Sequence, residues 1–540
     1  MEKELAAFGS QAPLSHSSTN DSKHDSEITD RDLDYFSIRI SLASLLKTLT
    51  YSVLQGDIET WRDYAVTDIV SDSREAREEV LFLAISGIRT DGHLYVREAY
   101  DRGCRIFVTE REVTLPEDCL VLGVQNTRIA QNVLARRFFG YPEQALLLIG
   151  ITGTKGKTTI AHMLVDALTA CGMEAASIGT TGVRHRDFHR DLVNTTPDIY
   201  VLMRYFFLLR RRGVNVVAME VSSSALKGHR VEGLLFEYAI CSNVGYDHIS
   251  PIEHTDFNDY RDSKAKLFTM ANTSILNLDD PSYAYMKTHA HGKTVTYSLK
   301  KSSGADLWAT DLRHSYDEGK GASTSFTVHG LEKSVATISS PGDYNVANAL
   351  AVIAVMNQMG FYLDQYKDAL RANKVAGRSE FLDTFPGIIM MIDYAHNGMG
   401  MRAVLEMLSG LKKQDGRLMV LFGAVGGRAK NRRRDLAEAV SQYADVAMVT
   451  TDCPYDEDPE AIMDEVLSYM SDFRGELLQE IDRHLAISQM VDFARDGDIV
   501  LFAGMGDDNT RTFRGVTVPY NEKTVVLDAV EERKMRETLF

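Results

Sequence analysis

Hydrophobic and polar positions follow one another along the chain in blocks that predict buried strands separated by helices. Apolar runs bounded by polar turns predict strands at residues 80–85, 104–108, 120–124, 145–151, 214–220, 238–243, 388–393, 418–422, 446–450 and 499–502. Helical periodicity predicts helices at residues 128–139, 160–171, 399–411 and 433–443. Strands that are apolar at nearly every position are typical of parallel sheets, because helices cover both faces. We therefore predict an α/β fold with parallel sheets throughout.

The length of the chain and its shifts in composition predict several domains. At roughly 100–200 residues per domain, 540 residues correspond to about three domains. Residues 1–35 are rich in Ser, Asp, Glu, His and Lys, and we expect a disordered tail because they cannot bury enough apolar surface. Boundaries near 143 and 373 then give domains at 36–143, 144–373 and 374–540.

Charge and cysteine usage exclude several classes of partner. Lys and Arg total 59 and Asp and Glu total 76, which gives a net charge of −17. This balance disfavours nucleic acid and anionic membranes as partners. No apolar run approaches the ~20 residues of a membrane span, and the first 35 residues have no apolar core of signal-peptide length. The five cysteines are scattered singly, so we expect reduced thiols in a cytoplasmic protein.

The strongest local signal is a glycine-rich segment that follows a buried strand and opens a helix. Its sequence is Gly150-Ile-Thr-Gly-Thr-Lys-Gly-Lys-Thr-Thr159. This context predicts a phosphate loop, in which backbone N–H groups and the helix N-terminus face phosphate oxygens. Ile151 occupies the place of the usual first glycine, and Gly153 takes over its role. The predicted ATP-binding residues here are Gly153, Thr154, Lys155, Gly156, Lys157, Thr158 and Thr159. The loop alone does not separate a kinase, a GTPase, an ATPase and a ligase.

The full form of this loop resembles the version found in the Mur ligase family. Further segments resemble that family in the same order along about 500 residues. They are Asp72-Ser-Arg74, Asp91-Gly-His93, Asn194-Thr-Thr-Pro197, Met219-Glu-Val-Ser-Ser223, Asp247-His248, Tyr260-Arg-Asp-Ser-Lys264, Gly342-Asp-Tyr-Asn345, Val375-Ala-Gly-Arg378, Asp393-Tyr-Ala-His396 and Gly426-Gly-Arg428. Within the family, the chain is most similar to the MurE branch, which adds the third amino acid to UDP-N-acetylmuramoyl-L-alanyl-D-glutamate.

The resemblance implies a three-domain architecture. A UDP-binding domain comes first, a P-loop ATP-binding domain with a parallel sheet follows, and a Rossmann-like amino-acid-binding domain ends the chain. It also implies a monomeric, ADP-forming amide ligase of peptidoglycan precursor synthesis, with ATP, Mg²⁺, a UDP-muramoyl dipeptide and a free amino acid as cofactor and substrates. Phosphoryl transfer to the D-glutamate carboxylate would give an acyl phosphate, which an amine can attack. Neutralising the clustered anions in that transfer calls for Mg²⁺, lysine and arginine.

A metal site is implied by the resemblance at Thr158, Glu220, His248 and Lys264. Glu220 ends an apolar strand, where ligand sites of α/β sheets gather, but a buried structural acid is an alternative. His248 is a single histidine in a loop, and a structural role is the alternative for it as well. Tyr260, Lys264, Leu267 and Phe268 recur at helical spacing, which places Lys264 on the apolar stripe of a helix. Such a lysine commonly pairs with an acid or extends to the surface; the resemblance implies a CO₂-derived carbamate that holds Mg²⁺.

The resemblance also assigns the remaining substrate-contacting residues. Those for the adenine base are Asn345 and Asn348, and those for the phosphates are Arg378, Asp393 and Lys430. The implied catalytic residues are Lys157, Lys264, Arg378 and Lys430. For the uridine nucleotide the residues are Ser73 and the turn 88–90, and for the muramoyl dipeptide they are Asn194, Thr195, Thr196, Ser222 and Arg230. Helix capping is the alternative for these serines and threonines.

The chain departs from the family in the amino-acid pocket. Ligases that add meso-diaminopimelate carry Asp-Asn-Pro-Arg, where this chain has Asp452-Cys-Pro-Tyr455. A tyrosine cannot form the bidentate cationic clamp that the arginine provides for a carboxylate. The next motif is Gly504-Met-Gly-Asp-Asp508, so Asp452, Asp507 and Asp508 would suit a cationic side chain. We therefore predict L-lysine as the substrate, although Arg428 matches an arginine that also contacts the amino acid.

Other functions remain as alternatives. Folylpolyglutamate synthase shares the loop and the modified lysine, but it lacks a first domain like residues 36–143. A ligase for a different carboxylate and amino acid pair fits the altered pockets, and so does a nucleotide-binding pseudoenzyme. The intact Lys157, Thr158, Glu220, His248 and Lys264 argue against the pseudoenzyme. A GTPase is disfavoured because the Asn-Lys-x-Asp guanine motif is missing from the sequence.

Overall fold

The computed structural model describes residues 38–87, 90–247, 249, 253–301, 304–317, 321–427 and 431–538. The tail predicted at residues 1–35 lies outside this range. The chain forms two compact units. The first takes in residues up to 147 together with 197–217 and 228–234, and the second comprises 148–196, 218–227 and 235–540. The three-domain division with boundaries near 143 and 373 stays a prediction.

The first unit contains a five-stranded sheet with helices. Its elements are β1 (Ile40–Ser41), α1 (Leu42–Leu46), β2 (Ser52–Gln55), β3 (Ala65–Val66), β4 (Asp68–Val70), β5 (Val80–Leu83), α2 (Val96–Asp101), β6 (Ile106–Thr109), β7 (Leu120–Gly123), α3 (Thr127–Phe138) and, further along the chain, α5 (Ile199–Arg211). The strand order is β2-β7-β6-β5-β4, in which β4 to β7 are parallel and β2 is antiparallel. The apolar runs of β5 and β6 are buried at every position, as their sequence predicts.

The second unit begins with an eleven-stranded sheet. Its strands are β8 (Leu147–Thr152), β9 (Ala175–Gly179), β10 (Gly182–His185), β11 (Phe188–Arg190), β12 (Val216–Glu220), β13 (Phe236–Cys241), β14 (Ala271–Asn277), β15 (Lys293–Ser298), β16 (Leu307–Asp317), β17 (Gly321–Gly330) and β18 (Ser334–Ile338). Its helices are α4 (Lys157–Ala170), α6 (Ser223–Lys227), α7 (Phe257–Thr269), α8 (Tyr283–His289), α9 (Asp343–Gln358) and α10 (Lys367–Ala372). The order is β11-β10-β9-β12-β8-β13-β14-β15-β16-β17-β18.

The prediction of parallel sheets throughout is wrong for this sheet. The middle strands β8, β13, β14 and β15 are parallel, but β10 and β11 at one end and β17 and β18 at the other pair antiparallel to their neighbours. Two-residue connections join β9 to β10 and β10 to β11, and a connection this short can only reverse the chain. In β17, buried and half-buried residues alternate, which is typical of an antiparallel sheet with one covered face.

The second unit ends with a six-stranded sheet between two layers of helices. Its elements are β19 (Glu380–Leu382), β20 (Ile389–Asp393), α11 (Gly398–Leu411), β21 (Leu418–Phe422), α12 (Asn431–Tyr443), β22 (Val446–Val449), α13 (Pro459–Ser468), β23 (Glu476–Gln479), α14 (Arg483–Phe493), β24 (Ile499–Ala503), β25 (Thr510–Phe513), β26 (Val516–Pro519) and α15 (Glu522–Thr538). The order is β19-β20-β24-β21-β22-β23, with all pairs parallel except β19–β20. Helices α11 to α13 pack on one face, and α14 and α15 pack on the other.

The α/β class is confirmed, and the predicted strands lie within two residues of the observed ones. The four predicted helices correspond to α3, α4, α11 and α12. None of the described helices combines the length and hydrophobicity needed to cross a membrane.

Candidate active site

The glycine-rich loop connects β8 to α4 and closely approaches neighbouring side chains. Gly153 has φ +149° and Gly156 has φ +88°, a region that L-residues with side chains rarely adopt. A Cβ atom on Gly153 would lie 1.9 Å from Ser242 Oγ, and one on Gly156 would lie 2.3 Å from Asn348 Oδ1. Glycine is therefore required at both positions by conformation and by space.

The segment after β13 holds the loop in place. The backbone N–H of Thr154 donates to the Asn243 carbonyl at 2.9 Å, and that of Lys155 donates to Asn243 Oδ1 at 2.9 Å. Asn243 Nδ2 in turn donates to the Lys155 carbonyl at 3.1 Å. These bonds fix the backbone of a loop whose sequence predicts phosphate binding.

Two lysines from different helices converge on one carbonyl of this loop. Lys157 Nζ and Lys264 Nζ each donate to the Gly153 carbonyl at 2.9 Å. Lys264 is 1% exposed, and its ammonium lies 4.5 Å from the centre of the Tyr260 ring. Burial lowers the pKa of both amines, and for Lys264 the charge of Lys157 lowers it further. The predicted stripe on α7 is confirmed, because Tyr260, Lys264, Leu267 and Phe268 are buried and Lys266 is exposed.

A buried carboxylate lies beside the start of α4. Thr158 Oγ1 donates to Glu220 Oε1 at 2.9 Å, and the Thr180 N–H donates to the same oxygen at 2.9 Å. Glu220 is 1% exposed. A hydroxyl and a carboxylate are oxygen ligands of the kind that Mg²⁺ prefers, with the remaining positions taken by phosphate and water. His248 lies outside the described residues, and within the described part no group of three or more His, Cys, Asp or Glu side chains gathers as a metal site.

Three of the residues predicted for the dipeptide gather at the carboxyl end of β12. Thr196 Oγ1 donates to the Glu220 carbonyl at 2.9 Å and accepts from the Ser222 N–H at 2.9 Å. Thr195 Oγ1 lies 3.0 Å from Thr180 Oγ1. Asn194 is exposed nearby in sequence. The motif segments around Asn194 and Ser222 therefore meet beside the buried carboxylate.

The other residues predicted to contact the uridine nucleotide or the muramoyl dipeptide belong to the first unit. Ser73 is buried, and its hydroxyl donates to Glu98 Oε2 at 2.9 Å. Burial lowers the pKa of Arg230, and the charge of Asp198 opposes this effect. In the turn 88–90, residues 88 and 89 lie outside the described range.

The two predicted adenine-binding asparagines lie one turn apart on α9, and both are buried. Asn345 Nδ2 donates to the Pro341 carbonyl at 2.8 Å, and Asn348 Nδ2 is 3.4 Å from Asn345 Oδ1. The close approach of Asn348 to Gly156 places this helix against the phosphate loop.

A further cation and acid come from the segment around β20. The Arg378 guanidinium lies 4.2 Å from the centre of the Tyr394 ring. Asp393 Oδ2 accepts the Ser379 N–H at 2.7 Å. Burial raises the pKa of Asp393, whereas the charge of Arg378 lowers it. Lys430 and Arg428 lie outside the described residues.

Two acids predicted for the amino-acid pocket lie near each other. Asp452 is 2% exposed, and its Oδ2 has no hydrogen-bond partner among the described residues. A Cβ on Gly504 would lie 2.6 Å from that oxygen, so the glycine leaves room beside it. Burial raises the pKa of Asp508 to about 7, and repulsion from Asp452 adds to this effect. Asp507 is exposed.

The surroundings of these acids include arginines that the sequence does not single out. Arg511 donates to the Asp452 carbonyl at 2.8 Å, and the charge of the buried Arg483 opposes the rise in the pKa of Asp452 that burial causes. Tyr455, with φ +53°, is 39% exposed, and its backbone N–H donates to the Thr512 carbonyl of β25 at 3.1 Å. Position 455 therefore borders the strand that carries Arg511.

An ionic bridge near the loop was also missed. Asp247 is buried and accepts hydrogen bonds from Asn397 Nδ2, at 2.6 Å, and from Arg432. Asp247 precedes the predicted ligand His248, which was the only signal for it. Its partners lie 150 and 185 residues away, and nothing in the sequence connects them.

The fold and the loop define a P-loop α/β protein with a buried carboxylate beside the first turn of the phosphate-binding helix. Residues 151–356 match the Mur ligase middle domain, and residues 377–506 match the Mur ligase glutamate ligase domain. These two matches, together with the relatives described next, place the chain in the Mur ligase family.

The relatives are similar over nearly their whole length. The UDP-N-acetylmuramoyl-L-alanyl-D-glutamate–2,6-diaminopimelate ligase of Clostridium perfringens is 31% identical over 497 residues, which cover 91% of this chain and 99% of that protein. The ligase of the same name from Aquifex aeolicus is 34% identical over 463 residues, covering 85% and 93%. A solved structure of a ligase with this name covers 91% of this chain and 99% of its own, with a TM-score of 0.63. At 24% identity, this last likeness concerns the fold alone.

Proposed function

We propose that the protein joins an amino acid to the D-glutamyl carboxylate of UDP-N-acetylmuramoyl-L-alanyl-D-glutamate, with ATP hydrolysed to ADP and phosphate. The observation that carries the proposal is the phosphate loop with Lys157, Lys264, Thr158 and Glu220 around it. Relatives of the MurE branch that are 31–34% identical carry the name of this activity. The product would serve peptidoglycan precursor synthesis, in a cytoplasmic monomer.

The chemistry has two balanced steps. A carboxylate oxygen of the D-glutamate attacks the γ-phosphorus of ATP, so that the bond to the β-γ bridging oxygen breaks and ADP leaves. The free amine then attacks the carbonyl carbon of the acyl phosphate, inorganic phosphate leaves, and the amine loses a proton. The site must neutralise the phosphates and exclude water, because water would hydrolyse the acyl phosphate.

Each part of the site has a role in these steps. Lys157 would contact the terminal phosphates, and Arg378 from the C-terminal segment would approach the same group. Thr158 and Glu220 would hold Mg²⁺, which when bound spreads the negative charge of the transferred phosphoryl group. Asn345 and Asn348 would contact the adenine base. Asp393, through its bond to the Ser379 N–H, would order the loop that carries Arg378.

Lys264 would act as a carbamate. A neutral lysine amine adds to CO₂ to give an N-carboxylate and one proton, which converts a base into an anionic oxygen ligand. The full burial of Lys264 and its position on the loop carbonyl next to Lys157 support this role. A carbamate there would pair with Lys157 and extend the Mg²⁺ site formed by Thr158 and Glu220.

For the amino acid we propose L-lysine. The buried Asp452 and the neighbouring Asp508 supply negative charge. This chain has Tyr455 where ligases that add meso-diaminopimelate have the arginine that binds the distal carboxylate. A second candidate is meso-diaminopimelate, which is favoured by the names of the relatives. The uridine nucleotide would bind near Ser73. The residues proposed for the muramoyl dipeptide are Asn194, Thr195, Thr196, Ser222 and Arg230.

The test is phosphate release by the purified full-length protein with ATP, Mg²⁺ and the UDP-muramoyl dipeptide. Parallel reactions receive L-lysine, L-ornithine, meso-diaminopimelate or a neutral amino acid. Turnover that requires both the dipeptide and one amino acid supports the proposal and identifies the amino acid. If ATP binds but no amino acid gives turnover, the substrates differ or the chain is a pseudoenzyme, and the proposal is wrong.

A further inference from the structure

A buried ionic bridge joins the loop after β13 to the C-terminal segment of the second unit. Asp247 follows Gly245, whose N–H donates to Thr154 Oγ1 of the phosphate loop at 2.9 Å. The two carboxylate oxygens of Asp247 accept from different elements, Oδ2 from Asn397 at the N-cap of α11 and Oδ1 from Arg432 in the first turn of α12. Asp247 therefore links the phosphate loop to two helices of the C-terminal segment.

The guanidinium of Arg432 is only partly used by this bridge. Its side chain is 12% exposed and pairs with Asp247, but its buried Nε–H has no hydrogen-bond partner among the described residues. A buried donor without an acceptor is unfavourable, and in a binding site it commonly marks the place of a ligand acceptor.

The unpaired donor lies among the cations of the phosphate loop. Burial lowers the pKa of Lys155 to about 7; the charge of Asp247 opposes this, and those of Arg378, Lys157 and Arg432 add to it. Lys155 also lies near the start of α11, because its Nζ would be 3.5 Å from a Cβ on Gly400. These four basic side chains outnumber the buried acids that act on them, which are Asp247, Glu220 and Asp393. An anion would neutralise the remaining positive charge.

We propose that Arg432 contacts a phosphate oxygen of the bound nucleotide, and that Asp247 is the positioning residue that holds its guanidinium there. Arginine suits this role because its fork can bind a carboxylate on one edge and a phosphate on another. This inference rests on the proposed use of ATP and adds a phosphate contact from α12. The nucleotide contact then comes from the C-terminal segment, through a helix that carries none of the residues predicted for the amino-acid pocket.

Binding of inorganic tripolyphosphate to the full-length protein, measured by calorimetry, tests this contact without any turnover. The variant is Arg432→Gln, and the matched control is Arg434→Gln in the same helix, where the arginine is 65% exposed and pairs with Glu438. We expect Arg432→Gln to weaken binding roughly 10- to 100-fold, since a charge-assisted hydrogen bond is lost. We expect the control to bind like the parent protein.

Steady-state kinetics distinguish a phosphate contact from a purely structural role of Arg432. Arg432→Gln should lower kcat/KM for ATP by a similar factor while the KM for the amino acid at saturating ATP is unchanged, and Arg432→Lys should recover part of the loss. Asp247→Asn should reduce tripolyphosphate binding less than Arg432→Gln, and the double variant should lose no more than Arg432→Gln alone, because the two residues act as a unit.

The outcomes are distinguishable. If Arg432→Gln and Arg432→Lys remain folded, as judged by melting temperature, and bind tripolyphosphate as tightly as the Arg434→Gln control, the contact does not exist. If Arg432→Gln unfolds, Arg432→Lys and Asp247→Asn decide in its place. If tripolyphosphate binding depends on Arg432 but no amino acid gives turnover, the contact stands and the proposed ligase function fails.

Discussion

Replacement of Lys264 should separate activity from stability. Lys264 is 1% exposed, and among the residues that the structure describes its amine makes one hydrogen bond, to the Gly153 carbonyl at 2.9 Å. Lys264→Ala removes the group that we propose to carry the carbamate. Loss of one preorganised charged group commonly costs about 100- to 1,000-fold in turnover. We therefore expect a loss of at least about 100-fold in phosphate release.

The free energy of unfolding, unlike turnover, should depend on the volume of the side chain at position 264 more than on its amine. Lys264→Ala leaves a cavity between Tyr260 and the phosphate loop, and such changes cost roughly 2–4 kcal/mol. Lys264→Met keeps most of the volume and removes a buried amine, and one net hydrogen bond contributes about 1 kcal/mol. The free energy of unfolding of Lys264→Met should therefore lie within about 1 kcal/mol of that of the parent protein, while the variant is still inactive.

The assay is phosphate release with ATP, the UDP-muramoyl dipeptide and the preferred amino acid, together with thermal unfolding. Acetate or another short carboxylate added to Lys264→Ala should restore part of the rate, because it can fill the cavity as a substitute for the carbamate. Lys266→Ala, an exposed lysine of the same helix, is the control and should behave like the parent. A Lys264→Met protein with full turnover would refute the metal-site reasoning, and so would a parent enzyme whose Lys264 carries no label after exposure to ¹³CO₂.

Three further outcomes can be measured on the same protein. Tyr455→Arg should raise the rate with meso-diaminopimelate relative to L-lysine, because it restores a carboxylate clamp; an unchanged ratio would mean that position 455 does not line the pocket. For Asp508, burial and Asp452 raise the pKa to about 7. A raised folded-state pKa means that stability is greatest below the unfolded pKa of about 4 and falls as pH rises through 7, by at most about 4 kcal/mol and less after solvent screening. Asp508→Asn should remove this fall in urea unfolding measured between pH 5 and 8, and an identical slope in both proteins would contradict it. Gly156→Ala should abolish nucleotide binding, because the backbone has φ +88° there and the new Cβ would lie 2.3 Å from Asn348 Oδ1. Calorimetric titration with ATP measures this, and binding as tight as that of the parent protein would mean that the loop tolerates a side chain at position 156.

The sequence predicts the local elements well, because burial of a strand or a helix face leaves a direct record in the order of apolar residues. The strand ending at Glu220 and the loop before Lys157 could be located without coordinates. The burial of Lys264 follows in the same way from the spacing of Tyr260, Leu267 and Phe268 on one helix face. A resemblance of motifs then assigned chemistry to these positions, and the relatives agree with the family.

Contacts between distant segments required the tertiary structure. Thr158 meets Glu220 across 62 residues, and Arg432 meets Asp247 across 185. Those contacts depend on the order of the strands in the sheet and on the side of the sheet to which each connection passes. The periodicity of a single segment predicts neither. The antiparallel ends of the large sheet were missed for a different, local reason. No strands were predicted in residues 175–190 or 307–338, where connections of two or three residues reverse the chain. The neighbours of Asp452 show the limit most clearly: its own motif reads as acidic, but Arg511 reaches it from a later strand, and only the fold brings those charges together.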